Sequence, residues 1–263
     1  MKRFATVAKK NKKSEMAENK IKQSLCHYGF LYDEDNPELI ITVGGDGTLL
    51  YAVHKYLEKL DQLLFVAVHT GTLGFYTDYS ENEIDECIQD IIENKIYEIF
   101  SSRLLKGEIV DFDKNSTTIY ALNEMRLENI LRTQTLDIFI DQEYFETIKG
   151  NGVCLSTQAG ATAYNRSLKG AVVDNGLSIM QLVEIAGLHD SKHNSLGVPY
   201  IMKDDREITF ISDNCENTYL CYDHIHLKLN KNVEKIICSM SDKKVRFARY
   251  RKYSYLKRLC NLY

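Results

Sequence analysis

Apolar residues follow two rhythms along this chain, and the change between them falls near residue 96. Before that point, short apolar runs alternate with stretches that repeat every three to four residues. Residues 4–8, 39–43 and 64–68 have the length and β-branched content of buried strands. Between and after them, Ala17, Ile21 and Leu25, then Leu49, Leu50, Val53, Leu57 and Leu60, then Ile84, Cys87, Ile88 and Ile91 each mark one face of a helix. Strands and helices in alternation predict a parallel sheet wound with helices. Beyond residue 96, short alternating segments take over, at 103–110, 117–122, 136–140, 144–148, 153–155, 207–211, 218–222, 225–229 and 233–239. Their spacing predicts an all-β, sandwich-like domain, interrupted by one helical pattern near 162–168. The expected fold is a Rossmann-like α/β domain over 1–100, a β-rich domain over 101–240, and a basic, aromatic tail over 241–263.

Composition narrows the class. A chain of 263 residues can build one large domain or two small ones with full cores. Its 44% hydrophobic and 27% charged residues are ordinary for a globular protein. A net charge of −4 gives no global attraction to nucleic acid or to an anionic membrane. No apolar run approaches a membrane span, and no signal-peptide segment follows the basic start Met1-Lys2-Arg3. Seven cysteines without a CxxC pair fit free thiols in a reducing cytosol better than disulfides or zinc. His189 with His193, and His224 with His226, lack the glutamate and the remaining ligands of a metal helix, so no fixed protein metal site is expected.

The chemistry concentrates where the second strand meets its helix, in Gly44-Gly45-Asp46-Gly47-Thr48. Glycines let the backbone approach an anion at a helix start. A carboxylate in that position suits a base or a magnesium-linked group better than phosphate binding alone. A tight turn that merely needs glycines is the bland alternative. The turn lacks the Lys-Ser/Thr of a P-loop, and Leu50 stands where the dinucleotide fingerprint needs its third glycine. His69-Thr70-Gly71 through Phe75 follows the third strand at the same sheet edge. Asn123-Glu124 closes an apolar strand, where an amide beside a carboxylate suits ribose hydroxyls or is simply a strand end. The segment 156–167 gathers small hydroxyl residues before a helix, with Tyr164 able to stack on a base and Thr162 able to cap the helix instead.

In this order, the glycine turn, His69 through Phe75, Asn123-Glu124 and Gly160 through Ser167 resemble the bacterial NAD kinases of the short Gram-positive type, over nearly the full length. The resemblance implies a kinase that phosphorylates the adenosine ribose 2′-hydroxyl of NAD to give NADP, with ATP or polyphosphate as donor and Mg2+ entering with ATP. It implies Asp46 as the catalytic base, with Gly44, Gly45, Gly47 and Thr48 around the phosphates and Leu49, Leu73 and Phe75 against the adenine. Asn123 and Glu124 would hold NAD, and Thr162, Ala163, Tyr164 and Ser167 would form the dinucleotide pocket. Lys149 and Asn151 would lie on the nicotinamide side, and the match extends to Ala186 and His224. Asn151 stands where relatives usually carry an aspartate, and Gln158-Ala159 where they often have proline and a small residue. A cytoplasmic homotetramer or homodimer is implied, with the tail returning to the first domain as a solvated basic face on apolar anchors. A lipid or sugar kinase of the same superfamily, or a dinucleotide-binding sensor without turnover, are the alternative readings.

Overall fold

The computed structural model describes residues 2–189, 195–212 and 214–260, so His193 and Asp190 lie outside the described residues. The chain divides into two compact units, Met1–Ser102 with Lys243–Tyr263, and Arg103–Asp242.

In the first unit β1 (Arg3–Ala8), α1 (Lys12–His27), β2 (Leu31–Tyr32), β3 (Leu39–Gly44), α2 (Asp46–Lys55), β4 (Leu64–His69), β5 (Tyr79–Ser80) and α3 (Ile84–Glu93) follow one another. The strands pair in the order β2-β1-β3-β4-β5, all parallel. Every residue of β3 is buried, as expected for a parallel strand covered on both faces. Asn11 starts α1 by accepting the Ser14 N–H at 2.9 Å, and Ala17, Ile21 and Leu25 turn inward. The apolar stripe from Leu49 to Leu60 is not one helix. α2 ends at Lys55, Tyr56 leaves helical geometry at φ −111°, and a tighter 3-10 turn, Leu57–Gln62, brings Leu60 back to the interior.

The second unit holds β6 (Glu98–Asp111) from Arg103 onward, β7 (Ser116–Ala121), β8 (Glu124–Glu128), β9 (Gln134–Ile140), β10 (Glu143–Gly150), β11 (Gly152–Thr157), the one-turn helix α4 (Tyr164–Ser167), β12 (Ile179–Ile185), β13 (Tyr200–Lys203), β14 (Ile208–Ser212), β15 (Tyr219–Tyr222), β16 (Ile225–Lys228) and the start of β17 (Val233–Arg249). One antiparallel sheet runs β13-β12-β11-β8-β15-β16, and a second set runs β10-β9-β14-β17. Met125, Leu155 and Leu182 of the first and Leu136, Ile138 and Ile236 of the second share one buried core. This is the arrangement of a sandwich. The chain passes from one sheet to the other at Asn151, between β10 and β11.

After β17 comes the short helix α5 (Tyr255–Cys260). Phe247 of β17 pairs in parallel with Phe65 of β4, and Ala248 and Tyr250 enter the core built by Phe4, Ile21, Ile41, Val66 and Ile88. An N-terminal α/β unit with a parallel sheet and an antiparallel β unit are what the periodicities predict. Five strands escape that reading, the two-residue β2 and β5 in the first unit and β8, β12 and β13 in the second. No helix among the described residues is long and apolar enough to cross a membrane.

Candidate active site

The glycine turn is tighter than its five residues suggest. β3 ends at Gly44, α2 begins at Asp46, and Gly45 alone is the helix cap. Close packing explains Gly44, since a Cβ there would strike the Thr48 hydroxyl. Asp46 is thus the first residue of a helix, where a carboxylate meets the positive end of the helix dipole. Its Oδ2 accepts the Phe75 N–H at 2.8 Å and its Oδ1 the Tyr76 N–H at 3.1 Å. Gly74 permits this clamp, because any Cβ at that position would overlap the Asp46 carboxylate. Burial raises the Asp46 pKa above the ordinary aspartate value, and the two N–H bonds with the charges of Arg258 and His69 only partly oppose it. Gly47 is exposed, Thr48, Leu73 and Phe75 are half-buried, and Leu49 is fully enclosed behind the turn.

The clamp loop is itself held by the tail. The Tyr253 hydroxyl donates to the Phe75 carbonyl at 2.8 Å and Arg258 donates to the Thr77 carbonyl at 2.7 Å. Arg249, 2% exposed, forms a buried ion pair with Asp78. Tyr76 stacks on Phe247 with centroids 5.6 Å apart, and the guanidinium groups of Arg249 and Arg258 lie 4.2 and 4.5 Å from the centre of the Tyr253 ring. The arginines of the tail are therefore not a merely solvated face. Tyr253, Arg249 and Arg258 are site-supporting residues that sequence reasoning missed, because buried arginine and solvated arginine look alike in a charge run.

In the β unit a second cluster forms around Asn123 and Glu124, both buried. Asp223, at φ +51° in the turn between β15 and β16, accepts the N–H groups of Leu122 at 2.8 Å and Asn123 at 2.7 Å. Thr157 donates its hydroxyl to the Leu122 carbonyl at 2.7 Å. Gly160 lies so close to Asn123 that a Cβ would overlap its carbonyl. Glu124 accepts the Tyr164 N–H, while its Oε2 is buried without a hydrogen-bond partner. Burial, then the charge of Asp223, push the Glu124 carboxyl up to about 7. The Arg126 guanidinium lies 3.7 Å from the centre of the Tyr164 ring, covering one of its faces.

Thr162 ends a 3-10 turn, and Ala163, which precedes α4, makes no side-chain cap, so Thr162 does not cap that helix. Ser167 is exposed at the end of α4. The segment is anchored from below by Asn165 and Gln181, both fully buried. Gln181 accepts the Ala171 N–H at 2.7 Å and meets the Asn165 amide at 3.3 Å.

Lys149, Asn151 and Ala186 form a third group. The Asn151 N–H donates to Ile185 at 2.9 Å and the Leu188 N–H to Lys149 at 2.7 Å. Ala186 is held at φ +48°, a left-handed backbone that alanine rarely adopts. The Asn151 amide donates to the Asn129 carbonyl at 2.8 Å. His224 is exposed beside Asp223 and lines a cavity of about 250 Å³ with Arg126 and Cys221. Among the described residues no group of three or more His, Cys, Asp or Glu side chains could hold a metal ion.

Residues 2–96 match the family model described as the ATP-NAD kinase N-terminal domain. The chain is 36% identical over 258 residues to NAD kinase 1 of Bacillus subtilis, covering 98% of this chain and 96% of that one. It is 36% identical over 257 residues to the NAD kinase of Geobacillus stearothermophilus, covering 97% and 94%. Among solved structures, yeast NADH kinase complexed with NADH superposes with a TM-score of 0.86 at 20% identity, covering 100% of this chain and 87% of that chain. An Archaeoglobus fulgidus NAD kinase in complex with ATP gives 0.77 at 21%, covering 99% and 96%. Those two share the fold. The near full-length identity to the bacterial enzymes goes further and decides between the kinase readings left open by the glycine turn: the chain belongs to the NAD kinase family.

Proposed function

We propose that the chain transfers the terminal phosphoryl group of ATP or polyphosphate to the 2′-hydroxyl of the adenosine ribose of NAD, giving NADP. The observation that carries this reading is the Asp46 carboxylate, half-buried at a helix start and aimed by two backbone N–H groups. Asp46 takes the proton of the 2′-hydroxyl as that oxygen bonds to phosphorus. The bridging P–O bond breaks, and its electrons leave with ADP or the shortened polyphosphate. A carboxyl lifted by burial accepts a proton more readily than an ordinary one, which suits general-base work. Phosphoryl transfer needs little else from the protein than placement and charge.

In the same reading Asn123 and Glu124 hold ribose hydroxyls, and the unpartnered Glu124 Oε2 is an acceptor awaiting a donor. Thr162, Ala163, Tyr164 and Ser167 shape the dinucleotide pocket. Lys149, Asn151 and Ala186 lie on the nicotinamide side, with His224 next to Asp223, which accepts the Asn123 N–H. The one candidate catalytic carboxylate has both oxygens in hydrogen bonds, which fits a divalent cation, Mg2+, carried in by the triphosphate rather than a metal held by the protein. That cation would screen the phosphate oxygens. A cytoplasmic homo-oligomer, tetramer or dimer, belongs to this reading through the family resemblance.

The test is NADP formation from NAD with Mg-ATP, repeated with polyphosphate. A binding sensor would take up NAD and release no NADP. Asp46→Asn should lower turnover by about 10²–10⁴-fold while NAD affinity stays within about tenfold, because the base acts in the transition state. Normal rates in that variant would remove Asp46 from the role. In the wild type the acid limb of the rate profile should lie above the usual aspartate value of about 4, in line with the raised pKa.

A further inference from the structure

A cavity of about 400 Å³ opens in the α/β unit, walled by His69 and Leu73 after β4 and by Arg251, Lys252, Lys257 and Arg258 of the tail. Its size falls within the range of small-molecule sites. Two carboxylates also face it, and both are already matched. Asp78 is paired with the buried Arg249, and Glu83 with Arg251 at 2.8 Å. The other three cations form no ion pair among the described residues. Lys252 and Lys257 are exposed. Arg258 bonds to a neutral carbonyl, that of Thr77, and its Nε is buried without a hydrogen-bond partner. Burial holds the Arg258 guanidinium below its usual pKa; Tyr253 and Asp78 oppose the shift, and the charges of Arg249 and Arg251 add to it. An anion among these groups would relieve that crowding.

The cavity also lies within electrostatic reach of Asp46, since His69 and Arg258 line it and both act on the Asp46 charge. On a chain of net charge −4 it is a local positive site, of the kind that raises the local concentration of an anionic substrate.

We propose that this cavity seats the phosphate chain of the donor, with Arg258, Lys252 and Lys257 binding its oxygens and its terminal phosphoryl group directed toward Asp46. The ligand class is a linear polyphosphate, free or as the triphosphate of a nucleotide. The assignment rests on the reading of the chain as a NAD-phosphorylating enzyme. It gives the tail a direct part in donor binding, besides its support of the loop at 74–78.

The test uses the full chain and the double variant Lys252→Ala/Lys257→Ala, which removes two exposed side chains without an ion-pair partner. Inorganic tripolyphosphate is titrated first by calorimetry, without NAD. The wild type should bind it, and the double variant at least about tenfold more weakly, given two lost charge-assisted contacts. Steady-state rates follow with ATP and with polyphosphate. The KM of whichever donor is used should rise at least about tenfold while the KM for NAD stays within about twofold, and Lys252→Arg/Lys257→Arg should restore most of the loss. A rise for both donors identifies the phosphate chain as the recognised part. A rise for ATP in a protein that also uses polyphosphate with an unchanged KM would overturn the assignment. So would equal tripolyphosphate affinity in wild type and double variant. Should the wild type make no NADP, the enzymatic reading falls, and the calorimetry still decides whether the cavity takes a phosphate chain.

Discussion

At the scale of single residues, Asn151 shows a neutral amide used where the family resemblance puts an acid. Its Nδ2 donates to the Asn129 carbonyl at 2.8 Å, its own carbonyl accepts the Gln134 side chain at 2.9 Å and the Asn129 N–H at 2.8 Å, and the chain changes sheets there. An ionised aspartate cannot donate, and it would set a negative charge against a carbonyl. Asn151→Asp should therefore cost about 1–3 kcal/mol of stability at neutral pH, read as a lower urea midpoint with unchanged slope. The residue was legible as a departure, and its cause was not, since the partner carbonyl lies 22 positions away. Asp46 is the opposite case. Glycine on both sides of an acid, between a buried strand and a helix, already states that backbone must come close to something. The overlaps at Gly44 and Gly74 show what it approaches. Glu124 was legible as one of a pair, but not as a buried carboxyl with a vacant oxygen, because burial is a property of the whole sheet.

Among the elements, those with one clean periodicity were readable. α1 and α3 bury the predicted stripes, and β3 and β4 are the predicted runs. β8 and β12 were missed because polar residues break their patterns, and tertiary partners make those polar residues tolerable. In β12 the fully buried Gln181 bonds to the Ala171 backbone. In β8 Arg126 pairs with Glu128 at 2.9 Å and covers Tyr164. The tail illustrates the same limit with a functional outcome. Its Tyr253 hydroxyl holds the carbonyl of Phe75, whose N–H aims Asp46. Tyr253→Phe keeps the ring under both guanidinium groups and removes that one bond, worth about 0.5–1.5 kcal/mol to stability. If the bond positions the base, kcat should fall about tenfold, as expected when an oriented group loosens, with the KM for NAD nearly unchanged. A loss of stability with kcat intact would reduce Tyr253 to a packing residue.

For the whole molecule, two carboxyls pull stability in opposite directions with pH. Glu83, hydrogen-bonded to Arg251 and to Ser80, is lowered to about 2. A lowered group contributes stability above its unfolded value, near 4.5, and loses it as pH falls toward 2. Glu124, raised by burial and by Asp223 to about 7, acts in the reverse sense. Its contribution is full below 4.5 and is lost as pH rises through 7, because the folded protein then holds a buried charge that the unfolded chain would hydrate. The loss could reach about 3 kcal/mol. The ligand-free protein should therefore be more stable near pH 5 than near pH 8, and Glu124→Gln, which cannot ionise, should flatten that slope without moving the acid limb to which Glu83 contributes. A hydroxyl donated to the vacant Glu124 Oε2 would favour the ionised form, so NAD should lift the melting temperature more at pH 8 than at pH 6 in the wild type and equally at both in the variant. Melting curves of both proteins at the two pH values, with and without NAD, decide it. If the variant retains the wild-type pH slope, Glu124 is not the group that sets it, and its place as the acceptor of a ribose hydroxyl loses its physical support.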